Sequence, residues 1–312
     1  MGQEYDVRGG SVGAQSILIM ERISCRNIIL DTDTQRLYSV FHKVAKERLE
    51  RKHNDILQIY NDSLKDWNQT SYEILLKMMD VGINKAAYQH LARIIPYRII
   101  LREVNSPHAV ESLLLGGSGL LSLYPEDDYI LAIKEEWNHL ANKYELSPMR
   151  LTDWNLARVR PYNHPVLRLA QLATLLHNKE FLVNRIISCR TPNDVVELFS
   201  VEAAEYWNDH FIPAVESKNI PKRLGREKCY ILGINLVVPI QIAYSHNIGR
   251  HTLREDAYEL LCTIPAENNR YTRQWQTAGV ELENAMASQA VIQIVTEYCQ
   301  KDRCELCPFT AK

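Results

Sequence analysis

Apolar side chains recur at every third or fourth position along most of the chain, which is the spacing of an α-helix with one buried face. The first such run begins near Gln35, directly after the helix-capping residues Asp31-Thr32-Asp33-Thr34. A second helix start is predicted at Ser106-Pro107, because serine caps a helix and proline fits its first turn. The apolar spacing is illustrated by Leu37, Phe41, Val44, Leu49, Ile56 and Ile59, and further along by Ile130, Ile133, Trp137, Leu140 and Tyr144. These runs predict amphipathic helices.

The second half of the chain continues the helical pattern with more apolar segments. Residues Val166 to Leu176 are apolar on nearly all sides, which predicts a central helix. The most apolar stretch, Cys229 to Tyr244, is shorter than the ~20 residues that a bilayer core requires and contains Pro239. We interpret it as a buried, kinked helix. Because no alternating strand pattern extends over more than a few residues, we predict an all-α fold, an irregular multi-helix array with a C-terminal cysteine knuckle.

Changes in composition along the chain predict four parts. The first segment contains four glycines and shows no lasting period, whereas the third is polar and basic and contains a proline and a glycine. The predicted parts are a poorly structured leader at 1–30, a helical domain at 31–217, a basic linker at 218–228, and a helical subdomain ending in the cysteine-rich tail at 229–312.

Composition and charge narrow the class of protein. Hydrophobic residues make up 46% of the chain and charged residues 24%, which is typical of globular proteins. The formal net charge is −2, so any nucleic-acid contact must come from a local basic patch. Seven cysteines without a secretory signal favour reduced thiols and a cytoplasmic location, and we expect no membrane association.

Three cysteines near the C-terminus, Cys299, Cys304 and Cys307, form a Cys-x4-Cys-x2-Cys pattern. This spacing matches the local part of the plant-type ferredoxin pattern, whose fourth cysteine lies elsewhere, and also falls within zinc-ligand spacings. The pattern therefore predicts a zinc ion or an iron–sulfur cluster as cofactor. A fourth ligand could come from Cys262, Cys229, a histidine or solvent. The competing interpretation is three free thiols on a frayed tail.

Two basic segments, 158–168 and 218–228, are candidates for binding phosphate groups or unstacked nucleic-acid bases. In the first segment, arginines lie next to an aromatic residue and an asparagine, side chains that can contact both phosphates and bases. The alternative is structural. The arginines of the first segment would pair with acidic residues of neighbouring helices, and the second segment would be a solvated charged surface. The candidate contact residues are Arg158, Arg160, Asn163, Arg168, Lys222 and Arg223.

Several segments of the chain together resemble an uncharacterised bacterial family, domain of unknown function 2851. The resemblance extends over about residues 20–312 and implies the same helical fold. Family members usually carry a further N-terminal β-rich part similar to restriction-endonuclease-like nucleases, so we expect this chain to be a truncated member or fragment. The segments that resemble the family are 47–52, 113–121, 158–171, 206–207, 222–225, 234–239, 265–269, 288–290, 298–299, and Arg303, Cys304 and Cys307.

These observations favour a non-catalytic helical module that binds nucleic acid or a partner protein and carries a C-terminal metal site. No carboxylate cluster with metal-ligand spacing occurs, and divalent-metal phosphodiester chemistry needs one, so we expect no nuclease activity from this chain. The alternatives are a purely structural or protein-interaction module with free thiols, or the accessory domain of a nuclease-like enzyme whose catalytic part is missing here.

Overall fold

The computed structural model describes residues 25–80 and 82–310, which divide into two compact units. Unit 1 contains the described residues up to Arg51 together with those from Pro265 onward. Unit 2 is Lys52–Ile264, and the division falls inside one long helix. Most of the predicted leader at 1–30 lies outside the described residues. The segment 218–228, which we predicted as a linker between domains, lies within unit 2.

Unit 1 is built from helices at both ends of the chain. Its N-terminal part begins with a short helix and continues into the long helix that is shared with unit 2. Its elements are α1 (Arg26–Leu30), α2 (Thr34–Asp62) as far as Arg51, α14 (Arg270–Thr277), α15 (Ala285–Gln293), a π-helical turn (Ile294–Tyr298) and two 3-10 turns (Cys299–Lys301 and Cys304–Leu306).

Unit 2 contains the remainder of α2, the other helices and one small hairpin. The helices are α3 (Trp67–Met79), α4 (Lys85–Ile94), α5 (Tyr97–Glu103), α6 (Pro107–Gly117), α7 (Asp128–Tyr144), α8 (Pro165–Leu176), α9 (Leu182–Ser188), α10 (Pro192–Phe199), α11 (Arg226–Leu232), α12 (Val238–Ile248) and α13 (His251–Thr263). Between these helices lie a π-helical turn (Gly233–Val237) and short 3-10 turns at Leu120–Leu123, Leu151–Asp153, Pro161–Asn163 and Glu205–Asn208. The hairpin pairs β1 (His210–Ile212) with β2 (Val215–Glu216) in antiparallel orientation.

The predicted all-α class is confirmed, and so are the two helix starts read from capping residues. Asp33 accepts a hydrogen bond from Arg36 N at 2.9 Å. Ser106 Oγ accepts one from Ala109 N at 3.1 Å, with Pro107 in the first turn. The small hairpin was not predicted, because strands of three and two residues are too short to show an alternating pattern.

The most apolar segment of unit 2 is one continuous helical run from Arg226 to Ile248. Its irregularity is a π-helical turn that immediately precedes the helix containing Pro239. The predicted kink at Pro239 stays a prediction. By length and composition alone, this is the one described helix that could cross a membrane, and 72% of its most apolar window is buried inside the fold. Burial to this extent is what a core helix shows.

The core of unit 2 depends on a close approach between α6 and α7. Helix α6 packs against both α7 and α8, and Gly116 lies directly against the indole ring of Trp137. Only a hydrogen atom fits at this position, since a Cβ built on Gly116 would overlap three atoms of the Trp137 side chain. Gly116 therefore sets the distance between the two helices.

We expect Gly116→Ala to lower the free energy of unfolding by at least about 2 kcal/mol, because the buried Trp137 ring must move to admit the methyl group. Urea unfolding followed by far-UV circular dichroism would measure the change. Gly225→Ala is the matched control: a Cβ there meets open space and φ is −67°, so a loss below about 1 kcal/mol is expected. Equal losses in the two variants would contradict the proposed steric role.

Candidate functional site

The basic loop, residues 158–162, presents two of the predicted contact residues to solvent. Arg158 and Arg160 are both exposed, and neither side chain makes a hydrogen bond or ion pair with any residue that the structure describes. Arg158 has φ of 59°, a left-handed conformation that is uncommon for residues other than glycine. A charged side chain held outward without a partner is available to an external anion.

An exposed aromatic ring lies beside the two arginines. Tyr162 is 50% exposed, and its ring contacts Phe211 of β1 edge-to-face with centroids 4.7 Å apart. Half of Tyr162 therefore stays open to solvent beside this contact. This arrangement is compatible with stacking of a planar group on the basic loop.

Arg168 is placed differently from the arginines of the loop. Its guanidinium is buried and donates to Asn163 Oδ1 at 2.8 Å and to Gln171 Oε1 at 2.9 Å. Burial lowers the pKa of Arg168, and no carboxylate pairs with it among the described residues. Asn163 and Arg168 thus form an internal hydrogen-bonded pair, and the buried guanidinium is closed to an external anion.

Lys222 is a structural cation inside unit 2. Its side chain is fully buried, and the ammonium donates to the backbone carbonyls of Asn208 at 2.7 Å, Ile220 at 3.1 Å and Lys218 at 3.3 Å. The ammonium also lies 4.2 Å from the centroid of the Phe211 ring. Lys222 therefore stabilises the conformation of its own loop, and its buried ammonium is not accessible to an external phosphate.

Two further basic residues of the segment 218–228 are also engaged. The exposed Arg223 forms an ion pair with Glu202. Lys228 donates to the carbonyl of Met78 at 2.6 Å, and burial with the nearby charge of Arg168 lowers the pKa of Lys228 to about 7. The segment is therefore largely built into unit 2, whereas sequence reasoning treated it as a solvated charge run or a nucleic-acid patch.

His164 caps the N-terminus of α8. Its Nδ1 accepts a hydrogen bond from Val166 N at 3.3 Å, and its Nε2 lies 3.0 Å from the hydroxyl of Tyr124. An accepting Nδ1 places the proton of the neutral ring on Nε2, from where it is donated to the tyrosine oxygen. Burial lowers the pKa of His164 to about 4. The imidazole occupies the position at which an anion could have met the helix terminus.

The C-terminal cysteines follow the last helix in two tight turns. After the π-helical turn ends at Tyr298, Arg303 N donates to the carbonyl of Tyr298 at 2.9 Å and Cys307 N donates to that of Cys304 at 3.2 Å. Cys304 is exposed, Cys299 is half-buried and Cys307 is only 4% exposed. The three thiols therefore lie on one hydrogen-bonded segment but differ in their exposure to solvent.

The tail is anchored by an aromatic cluster in the core of unit 1. Phe309 is 6% exposed and contacts Phe41 of α2 and Trp275 of α14, with ring centroids 6.5 and 6.2 Å apart. Phe41 and Trp275 also contact each other at 6.2 Å. Because burial of a phenylalanine side chain contributes roughly 2–3 kcal/mol, these contacts hold the segment that carries Cys304 and Cys307 against the core.

The thiols of unit 1 interact electrostatically, and they include a cysteine that sequence reasoning missed. Burial and the charges of Cys25, Cys307 and Cys304 raise the pKa of Cys299 to about 12. Burial and the charges of Cys307 and Cys304 raise the pKa of Cys25 to about 11. Within residues 25–80 and 82–310, however, no three His, Cys, Asp or Glu side chains are already arranged to hold one metal ion.

A polar network in unit 1 connects segments that are far apart in sequence. Arg48 Nε donates to Gln289 Oε1 at 2.8 Å, and Gln289 Nε2 donates to Glu267 Oε2 at 3.0 Å. Asn269 Nδ2 donates to the other oxygen of Glu267 at 3.2 Å, and the backbone N–H of Glu267 is satisfied by Ser288 Oγ at 3.0 Å. These residues belong to three of the segments that carry the family resemblance. Their spacing in sequence gave no sign that they meet.

Comparison with known families gives one match. The family model described as "Protein of unknown function (DUF2851)" matches residues 13–270, which is well over half of the chain. The C-terminal cysteines therefore lie outside the matched residues, and so do Ser288 and Gln289 of the polar network. No curated protein and no solved structure matches the chain.

The buried histidine cap makes a testable contribution to pH dependence. The folded-state pKa of His164 lies below its ordinary value of 6.5, so the unfolded chain takes up this proton first as the pH falls. The stabilisation of the fold by the neutral His164 ring is complete above pH 6.5 and is lost as the pH falls toward about 4. Between pH 7 and pH 5, we expect the free energy of unfolding to fall by about 1–2 kcal/mol less in His164→Asn, which retains a capping side chain, than in the wild type.

Urea unfolding at the two pH values would measure this difference. His177→Asn, at the exposed C-terminal end of the same helix, is the control and should behave as the wild type. If the wild type and His164→Asn showed the same pH dependence, the histidine would not be the neutral cap described above.

Proposed function

This chain belongs to the DUF2851 family of proteins of unknown function, and we propose that it is a non-catalytic helical module whose C-terminal cysteines bind a soft metal. The observation that supports this proposal is the anchoring of the tail. Cys307 and Phe309 are buried, and the Phe309 ring packs on Phe41 and Trp275 in the core of unit 1. A frayed tail with three independent thiols would not be held in this way.

The chemistry of the donors selects the class of metal. Thiolates prefer zinc or iron–sulfur clusters to magnesium or calcium, which take oxygen ligands. A metal cation would also offset the repulsion among the thiolates, because a coordinated thiol loses its proton. Cys304 is exposed and lies in a short 3-10 turn, so its side chain can adjust on binding without disturbing the core.

We expect the protein purified without oxygen to contain iron with acid-labile sulfide, or zinc, as measured by elemental analysis and visible absorption. Cys304→Ser should lower the metal content at least severalfold, because it removes one proposed ligand from an exposed position. Cys262→Ser, in α13 of unit 2, is the matched control and should retain the wild-type content. A wild-type protein without metal, even after reconstitution with iron and sulfide or with zinc, would leave the free-thiol module as the correct interpretation.

A second proposal concerns single-stranded nucleic acid at the basic loop. The specific observation is that Arg158 and Arg160 are exposed and unpartnered among the described residues and lie beside an exposed ring, Tyr162. The arginines would contact phosphates, and Tyr162 would stack on a base. The other predicted contact residues are internal or paired, so contact would be confined to few phosphates and would be weak and sensitive to salt.

Fluorescence anisotropy with a labelled single-stranded oligonucleotide at about 50 and 200 mM salt would test this proposal. We expect the double substitution Arg158→Met and Arg160→Met to weaken binding and to reduce the slope of log affinity against log salt by about 1.4, since two phosphate contacts are lost. The control is the pair Arg98→Met and Arg102→Met on α5, two exposed arginines whose removal changes the net charge equally. Equal effects of the two pairs would show non-specific attraction and contradict the assignment to the loop.

A further inference from the structure

A small cavity in unit 1 lies between the first turns of α2 and the start of α15. Its volume is about 150 Å³. An apolar cavity of this size admits a group as large as a benzene ring. The cavity is partly open to solvent, so a ligand of that size can enter it without unfolding of the unit.

The floor of the cavity is apolar. It is formed by Phe41 of α2 and by Met286 and Ala287 of α15, and all three residues are buried. Phe41 is held by its ring contacts with Trp275 and Phe309, so the floor belongs to the packed core of unit 1. A ligand that covers this wall removes apolar surface from water, which favours binding of an apolar group.

The rim of the cavity is acidic. Glu281 and Glu283 line it from the segment that leads into α15, and both are exposed. Glu283 Oε2 accepts a hydrogen bond from the hydroxyl of Tyr38 at 2.8 Å, whereas Glu281 forms no hydrogen bond or ion pair with any described residue. None of the described lining residues is a lysine or an arginine. The two carboxylates therefore favour a positively charged group at the rim.

Two rings of α2 also line the cavity. The rings of Tyr38 and His42 stack with their centroids 5.7 Å apart and an interplanar angle of 29°. Burial and the charge of Lys46 lower the pKa of His42, so its imidazole is neutral near pH 7 and adds no positive charge. One nitrogen of a neutral imidazole is an acceptor, and an aromatic face attracts a cation. Both rings are thus compatible with an ammonium group beside them.

We propose that this cavity binds a small primary amine in its ammonium form, with an apolar body about as large as a phenyl ring. The body would cover the apolar floor, and the ammonium would donate to Glu281 and to the oxygen of Glu283 that Tyr38 does not use. Such charge-assisted hydrogen bonds are stronger than neutral ones. The same carboxylates would repel an anion of equal shape. A site for a small molecule goes beyond the proposed functions, neither of which involves this cavity.

The first test compares ligands of similar shape and different charge on the full-length wild type. Phenethylamine is a cation at neutral pH, phenethyl alcohol is neutral, and phenylacetate is an anion. Binding is measured by isothermal titration calorimetry at about 50 mM salt, which limits screening of the exposed carboxylates. We expect phenethylamine to saturate with a Kd of about 1 mM or tighter and the alcohol to bind at least about fivefold more weakly, whereas phenylacetate should not saturate.

The second test removes the charge of the rim. In the double substitution Glu281→Gln and Glu283→Gln, the amide oxygen at 283 still accepts from Tyr38, so the wall is retained without its carboxylates. We expect phenethylamine to bind at least about fivefold more weakly to this variant. The matched control is the pair Glu50→Gln and Glu305→Gln, two exposed glutamates of unit 1 outside the cavity, which changes the net charge equally and should bind as the wild type does.

Ala287→Leu tests the floor, because the larger side chain would fill part of the cavity. Far-UV circular dichroism shows that the variant is folded, and we expect the folded variant to bind phenethylamine at least about fivefold more weakly, since space for the apolar body is lost. The glutamate comparison does not depend on the folding of this variant. Equal binding of amine and alcohol, equal binding by the two glutamine pairs, undiminished binding by folded Ala287→Leu, or no amine binding by the wild type would each overturn the proposal.

Discussion

The interior of unit 2 is organised by two buried cations, Arg168 and Lys222, neither of which forms an ion pair with a carboxylate of the described residues. Arg168 donates to Asn163 and Gln171, Gln171 donates in turn to the carbonyl of Lys222 at 3.0 Å, and the Lys222 ammonium is surrounded by backbone carbonyls. Burying a charge is costly unless its hydrogen bonds are satisfied, so each partner is held in place by the same requirement. The connection that carries the basic loop, helix α8 and the segment after the hairpin are joined through this chain of hydrogen bonds.

This network also determines which basic residues can act on a ligand. Side chains needed to satisfy the interior cannot turn outward, because an unsatisfied buried group costs about 1–3 kcal/mol. Arg168 and Lys222 are therefore excluded from a surface role, and Arg158 and Arg160 remain. The sequence presents all four as similar basic residues, and only their depth separates the structural cations from the exposed ones.

Unit 1 depends on a different constraint, namely contacts between segments that are distant in sequence. Phe309 contacts both Phe41 and Trp275, and Arg48 reaches Glu267 through Gln289. Both sets of contacts hold the start of α2 against the C-terminal helices.

The sequence by itself determined the all-α class and the helix starts at Asp33 and Ser106. Each of these is a local property, set by apolar periodicity or by capping side chains. The tertiary structure alone decided that Lys222 is internal, that His164 caps α8 as a neutral ring, and that Arg48 reaches Glu267 through Gln289. Burial and long-range proximity follow from how helices pack, and a side chain's local sequence carries no record of what lies against it.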